Sequence, residues 1–204
     1  SSQMKKITIA LIMVISLIAP IQTMAESVTQ NGTIIEPLEQ NIEQIIDEIT
    51  SEPRPINSDA IQNVKEYISE YFGNQGYDNI EYQKFEYNDE NNENAIRHSS
   101  QADVFLASTA ENAIVDGIGE NIIVTKNSSI DTTKNLIISA HYDSAEDSVG
   151  ANDNGSGVAA VLELARILKD TEIPYNIKFI LFSGEEKYML GSRWYVGNLS
   201  EDER

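Results

Sequence analysis

The fold is decided by LIISAHYDS at 136–144, GANDNGSGVAAVLELARILK at 150–169 and IKFILFSGEE at 177–186. The first and third segments begin with short apolar runs, 136–140 and 177–182, which are typical of strands buried on both faces of a sheet. Between them, apolar residues recur at helical spacing and predict a helix over 156–169. Strand, helix and strand in this order predict a βαβ unit with a parallel sheet.

Upstream of this unit the sequence predicts two helices and several more strands. The first helix starts near Leu38 and ends before Pro53, because proline cannot continue a helix. The second starts near Ser58, whose hydroxyl can cap it. Alternating patterns predict strands at 80–87, 102–107 and 120–125, with a polar loop at 88–97. We therefore expect an α/β domain with a mostly parallel, twisted central sheet flanked by helices.

The composition narrows the classes of partner and ligand. The chain has 204 residues with 14 Lys and Arg against 33 Asp and Glu, a formal net charge of −19. Such a field repels nucleic acid and anionic membrane surfaces, because both are bound by neutralising phosphates with cations. There is no cysteine, so a metal ion can be held only by His, Asp and Glu.

The first 25 residues have the features of a secretory signal peptide. Lys5 and Lys6 precede an apolar run at 7–18, and Ala25 supplies the small residue that a signal peptidase prefers. The alternative, a membrane anchor, needs about 20 apolar residues, which this run does not reach. We expect cleavage after Ala25, a secreted protein without membrane contact, and a flexible mature N-terminus at 26–37.

Ionisable side chains follow both strands of the βαβ unit. His141 and Asp143 come after the first strand, and Glu185 and Glu186 after the second. Asp153 lies just before the intervening helix. Because ligands bind at the carboxyl ends of strands in open α/β sheets, we expect these residues to converge on a zinc site. Taken singly, Asp153 could instead be an N-cap, and the Glu pair could favour a helix dipole.

Three motifs in this region resemble those of the M28 peptidases. They are HYDS, GANDNGSGVAAVLELAR and FILFSGEEKYMLGS. The resemblance extends over 38–204 and is most specific over 135–193. M28 proteins are di-zinc exopeptidases, mostly secreted aminopeptidases. The resemblance therefore implies a zinc exopeptidase-like α/β/α sandwich that binds two Zn²⁺ ions per complete domain and acts on peptides with a free N-terminus.

The resemblance also implies a role for each of five residues. His141 is similar to the ligand of the first zinc, Asp153 to the aspartate that bridges both, and Glu186 to the ligand of the second. Glu185 matches the general base that takes a proton from water. Asp143 matches the acid that orients the ring of His141. A cis peptide bond after Asp153 is implied as well.

Two ligands of the family have no counterpart in this sequence. The family has a further aspartate one strand later and a histidine near the end of the domain, so we expect both beyond Arg204. The second histidine, His98, lies in the polar loop and is not expected to bind metal. Residues 38–204 are therefore predicted to be the N-terminal portion of the domain, with each zinc short of one ligand. We expect 26–204 alone to be poorly stable and nearly inactive.

Three alternatives to an aminopeptidase remain open from the sequence. The same scaffold supports carboxypeptidases and glutaminyl cyclases, and some of its members are interaction domains that have lost metal ligands. The presence of His141, Asp153, Glu185 and Glu186 together argues against the last alternative, because an interaction domain does not need all four.

Overall fold

The computed structural model describes residues 28–30, 33–35, 37–87 and 116–203. By its internal contacts the chain divides into the units Ser1–Pro37 and Leu38–Arg204. The first unit contains an antiparallel pair of short strands, β1 (Val28–Gln30) and β2 (Thr33–Ile35). Among the described helices, none has the length and apolar character needed to cross a membrane.

Several expectations fall on residues that the structure does not describe. These are the signal peptide at 1–25, the polar loop at 88–97 with His98, and the strand at 102–107. The boundary between the two units coincides with the expected start of the peptidase portion at residue 38. The division of the chain into signal, flexible N-terminus and peptidase portion stays a prediction.

Over its described residues, the second unit contains four α-helices and four strands. In chain order its elements are α1 (Glu39–Ile49), α2 (Asp59–Asn74), β3 (Ile80–Tyr87), β4 (Gly117–Lys126), β5 (Asn135–His141), α3 (Ser156–Leu168), β6 (Asn176–Phe182) and α4 (Leu190–Gly197). A 3-10 turn, Glu201–Glu203, follows. The predicted start of α2 is confirmed, because the Ser58 hydroxyl accepts a hydrogen bond from the Ile61 amide at 3.1 Å.

Four strands form one sheet in the order β3-β4-β6-β5. β5 and β6 are parallel, with His141 opposite Phe182, which confirms the predicted βαβ unit. β4 pairs antiparallel with both β3 and β6. The α/β class is thus confirmed, and over the described residues the sheet is mixed, since one of its pairings is parallel and the others are antiparallel.

Only one of the two strands of the βαβ unit is buried on both faces. In β6, Ile177, Phe179 and Leu181 face one core and Ile180 faces another, all fully buried. In β5, by contrast, the Ile137 side chain is 47% exposed. The expectation of double burial was therefore wrong for β5, because this strand lies at the edge of the four strands that the structure describes.

Helices cover both faces of the sheet. α1, α2 and α3 pack their apolar stripes on one face, in a core that includes Ile68, Phe72 and Leu162. On the opposite face α4 brings Tyr195 against Ile123 and Ile180. The same helix places Trp194 beside Phe85, with ring centroids 6.3 Å apart. The two inner strands, β4 and β6, are therefore packed against side chains on both faces of the sheet.

Candidate metal centre

The parallel pairing of β5 and β6 brings the predicted site residues to one edge of the sheet. His141 ends β5, and Asp143 follows it at the start of a loop over 142–155, called here the His–Asp loop. Glu185 and Glu186 come three and four residues after the end of β6. Asp153 lies near the far end of the His–Asp loop, immediately before α3.

The imidazole of His141 is buried and faces carboxylates on both of its nitrogen atoms. Its Nε2 lies 3.0 Å from Asp153 Oδ1 and 3.8 Å from Glu185 Oε2. Its Nδ1 lies 3.3 Å from Asp143 Oδ1, close enough for an ion pair but without hydrogen-bond alignment. The ring therefore points one nitrogen at the acid expected to orient it and the other at the acid expected to share its metal.

Asp143 is fully buried and is bound to both site segments. Its Oδ1 accepts a hydrogen bond from the Glu185 amide and its Oδ2 accepts one from the Glu186 amide, each at 3.1 Å. The same carboxylate lies beside His141. The sequence indicated the contact with His141 but gave no sign of the two amide bonds, which fix the backbone of the glutamate pair.

Asp153 is directed to the site rather than to the helix that follows it. Its peptide bond to Asn154 is cis, as the resemblance implied. Asn154 Oδ1, not the Asp153 carboxylate, accepts the Gly157 amide in the first turn of α3, at 3.1 Å. The side chain of Asp153 is 74% exposed and is free to contact His141. The alternative that Asp153 serves only as an N-cap is therefore excluded.

The glutamate pair is likewise not part of a helix start. α4 begins at Leu190, after a turn in which the Met189 amide donates to the Glu185 carbonyl at 2.8 Å. His141, Glu185 and Glu186 each offer a ligand atom within 4.8 Å of the others, a spacing compatible with one metal ion. His141 and Asp153 form another possible pair of metal ligands, because the Asp153 carboxylate lies nearer to His141 Nε2 than the Glu185 carboxylate does.

The electrostatics of the site favour a cation. Burial alone would lower the pKa of His141, but the carboxylates of Asp143, Glu185 and Asp153 outweigh it and raise that pKa to about 9. Burial, together with the charges of Asp153, Asp143 and Glu185, raises the pKa of Glu186. The carboxylates repel one another, and a bound cation would relieve that repulsion. Imidazole and carboxylate groups together are a donor set that fits Zn²⁺.

Two polar residues that support the site were missed in the sequence. Asn121 in β4 is fully buried; its Oδ1 accepts the Ser183 amide at 3.1 Å and its Nδ2 donates to the Gly191 carbonyl at 2.9 Å. It thus braces both ends of the segment that carries the glutamate pair. Arg54 is the other. Neither has a local sequence signal, because the Ser183 and Gly191 partners of Asn121 lie 62 and 70 residues away and the carbonyl partners of Arg54 lie 88 to 96 residues away.

Comparison with known proteins supports the same family. Residues 121–204 match the model of peptidase family M28. Aminopeptidase YwaD of Bacillus subtilis is 45% identical over 92 residues, which cover 45% of this chain and 20% of that relative. The resemblance to the M28 peptidases predicted from the sequence is confirmed over this region. The match spans about a fifth of the length of this curated relative.

The fold is similar to that of solved structures of an aminopeptidase and a glutaminyl cyclase. The zinc aminopeptidase BSAP from Bacillus subtilis superposes with a TM-score of 0.67 at 18% identity, covering 84% of this chain and 68% of that structure. A glutaminyl cyclase from Tannerella forsythia superposes with a TM-score of 0.58 at 18% identity, covering 82% and 58%. These likenesses establish the α/β fold and do not separate the two chemistries.

Proposed function

We propose that the protein is a zinc-dependent aminopeptidase that removes N-terminal residues from peptides. The observation that carries this proposal is the position of the His141 ring, whose Nε2 faces the Asp153 and Glu185 carboxylates while Asp143 lies at its Nδ1. In the proposed site, His141 and Asp153 would hold one zinc ion, and Asp153 and Glu186 would hold a second. A carboxylate can serve both, since it has two oxygens.

Zinc, when bound, supplies polarisation of the scissile carbonyl and a lowered pKa of water. The protein supplies the proton transfers and the alignment. Glu185, whose side chain is 40% exposed, accepts the proton from water and delivers it to the leaving amine. Asp143 keeps that base in place through the Glu185 amide and holds the orientation of the His141 ring.

The acidic surroundings support a substrate with a positive end. Two Zn²⁺ ions would offset the charge of the four carboxylates at the site, but the whole chain carries a formal net charge of −19. Such a field attracts the α-ammonium group of a peptide and repels its carboxylate. This favours an aminopeptidase over a carboxypeptidase on the same scaffold.

The function is tested with full-length protein and three substrate types: aminoacyl nitroanilides, peptides with N-terminal glutamine, and peptides blocked at the N-terminus. We expect hydrolysis of the substrates with a free N-terminus and not of the blocked peptides, loss of this hydrolysis with a chelator, and its return with Zn²⁺. Cyclisation of glutaminyl peptides would instead identify a glutaminyl cyclase. Absence of turnover with all three, despite bound zinc, would favour an interaction domain.

Glu185→Gln is the matched variant for this test. The glutamine keeps the size of the side chain and removes the base, so we expect hydrolysis to fall by about 10²–10⁴-fold while zinc binding persists. Glu186→Gln, which alters a neighbouring carboxylate, should instead weaken zinc binding. Equal losses of zinc in both variants would contradict the division of roles between the two glutamates.

We also propose that the protein is exported and that residues 1–25 are removed. The basic start, the short apolar run and Ala25 support this. The protein recovered from the culture medium should begin at Glu26 when its N-terminus is sequenced. A protein that stays in the cells with residues 1–25 attached would contradict the proposal.

A further inference from the structure

Arg54 is a fully buried arginine that lies between α1 and α2. Arginine is almost never buried unless its guanidinium is paired or hydrogen-bonded, so this burial needs an explanation. Pro53 and Pro55 flank it. Pro53 has a fixed φ, and Pro55 restricts the residue before it to extended backbone. The local chain is therefore stiff and presents the Arg54 side chain in a defined direction.

The hydrogen bonds of the guanidinium end on the main chain of the His–Asp loop. Nε donates to the Tyr142 carbonyl at 2.7 Å, Nη2 donates to the Gly150 carbonyl at 3.1 Å, and Nη1 donates to the Val149 carbonyl. The backbone of Arg54 adds two bonds to Ser144, accepting from its amide and donating to its hydroxyl. Arg54 thus binds the His–Asp loop at Tyr142, next to His141, and again at Gly150, eight residues further on.

The hydrogen bonds of Arg54 connect to the turn that contains Asp153. The Gly150 carbonyl accepts a second hydrogen bond, from the Gly155 amide at 2.8 Å. Gly150 has a φ of 57°, and a Cβ there would lie 2.5 Å from the Asp153 carbonyl oxygen. Arg54, Gly150 and Gly155 therefore form a connected path that closes the turn around Asp153.

We propose that Arg54 is a positioning residue of the metal centre, which fixes the His–Asp loop so that the ligand atoms of His141 and Asp153 are held together before an ion enters. The inference deepens the proposed function and rests on it for the identity of the ion. Arginine suits this role because its planar fork donates in several fixed directions, whereas a lysine ammonium is a point donor.

The charge of Arg54 is consistent with this position. Burial lowers the pKa of Arg54, and the nearby negative charge of Asp143 acts in the opposite direction. An arginine side chain stays protonated in proteins, so it brings a fixed positive charge close to a fully buried carboxylate. Because it does not itself face the reacting groups, Arg54 acts through the loop.

The test compares Arg54→Met and Arg54→Lys with Arg166→Met in full-length protein. Arg166 is a suitable control because it pairs with Glu163, which is also buried and also accepts the Leu38 amide. This ion pair supports the start of α1, whereas the hydrogen bonds of the Arg54 guanidinium end on the His–Asp loop. Arg54→Met and Arg166→Met should thus both lower the melting temperature, but only the first should alter the site.

The first measurement is amide hydrogen exchange of the metal-free protein. We expect faster exchange over 142–155 in Arg54→Met, an intermediate rate in Arg54→Lys, and the wild-type rate in Arg166→Met. Unchanged exchange over 142–155 in Arg54→Met would overturn the proposal. Should Arg54→Met fail to fold, Arg54→Lys decides by the same criterion.

The second measurement is zinc affinity, by competition with a chelator at a temperature where every variant is folded. We expect affinity to fall by about 10- to 100-fold in Arg54→Met, less in Arg54→Lys, and not in Arg166→Met. Equal losses in both methionine variants would reduce the role of Arg54 to general stability. A wild-type protein that binds no zinc would refute the proposed function, while the exchange measurement would still decide whether Arg54 holds the loop.

Discussion

At the scale of single residues, the protonation of His141 couples the site to the stability of the protein. Its neighbouring carboxylates raise its pKa to about 9, above the ordinary value of 6.5, although burial acts in the opposite direction. A histidine with a raised pKa stabilises the folded state fully below the unfolded pKa, and the contribution is lost as pH rises through the folded pKa. The window for this loss therefore runs from about pH 6.5 to 9.

We predict that the free energy of unfolding of the metal-free wild-type protein falls over this pH window, and that it falls less in the variant His141→Gln. The difference should be on the order of 3 kcal/mol, since one pKa unit corresponds to about 1.4 kcal/mol. Urea unfolding at several pH values measures it. Asp153→Asn, which removes one of the exposed carboxylates near the ring, should reduce the loss only in part. Identical pH dependence in wild type and His141→Gln would contradict the assignment.

The sequence predicted which titratable residues lie together, but it did not predict which neighbouring residues hold them in place through hydrogen bonds. Placing His141, Asp153 and Glu185 at one edge needed only the strand pattern and the parallel pairing. That Asn154 takes the capping bond, leaving Asp153 free, depends on the backbone geometry of the turn. Arg54 gave no signal at all, because its acceptors are carbonyl groups 88 to 96 residues away.

At the scale of elements, Asn121 joins β4 to the segment between β6 and α4. Asn121→Leu keeps a similar size but removes the acceptor of the Ser183 amide and a donor to the Gly191 carbonyl in a buried environment. Each such loss costs about 1–3 kcal/mol, so we predict a clear drop in the free energy of unfolding, measured with urea. Gln83→Ala, which removes the third and less buried partner of Asn121, is the control and should change stability little. Equal stability of Asn121→Leu and wild type would show that water satisfies these groups.

Helices and strands differed in how well the sequence predicted them. The three helices predicted from the sequence each carry an apolar stripe, in α2 for example Ile61, Val64, Ile68 and Phe72, and that pattern by itself indicates which side is buried. The apolar run in β5 indicated a strand, yet it could not indicate the strand's position in the sheet. Ile137 is exposed because of the order of the strands, which is a property of long-range pairing.

At the scale of the whole molecule, the large negative charge and the edge of the sheet act in opposite directions on association. β5 presents an exposed Ile137 at the edge of the described sheet, a feature that favours pairing with another chain. The formal net charge of −19 opposes it through mutual repulsion. Salt screens that repulsion, so association should increase with ionic strength.

We predict that residues 26–204 expressed alone associate in this way and that Ile137→Lys reduces the association. Light scattering at low and high salt measures it. Ile130→Lys is the matched control, because this substitution adds the same charge. Ile130 is similarly exposed, at 55%, but lies outside the strands. If the two lysine variants behave alike, charge alone accounts for the effect and the edge of the sheet does not.

The packing of α4 on β3 has a practical consequence for following these changes. Trp194, against Phe85, is the single tryptophan in the sequence. It lies on α4, the helix that follows the glutamate pair, so its fluorescence reports on the packing of that helix against β3. A shift in emission would therefore report loosening of this corner directly, and the protein can be observed optically without attaching a dye.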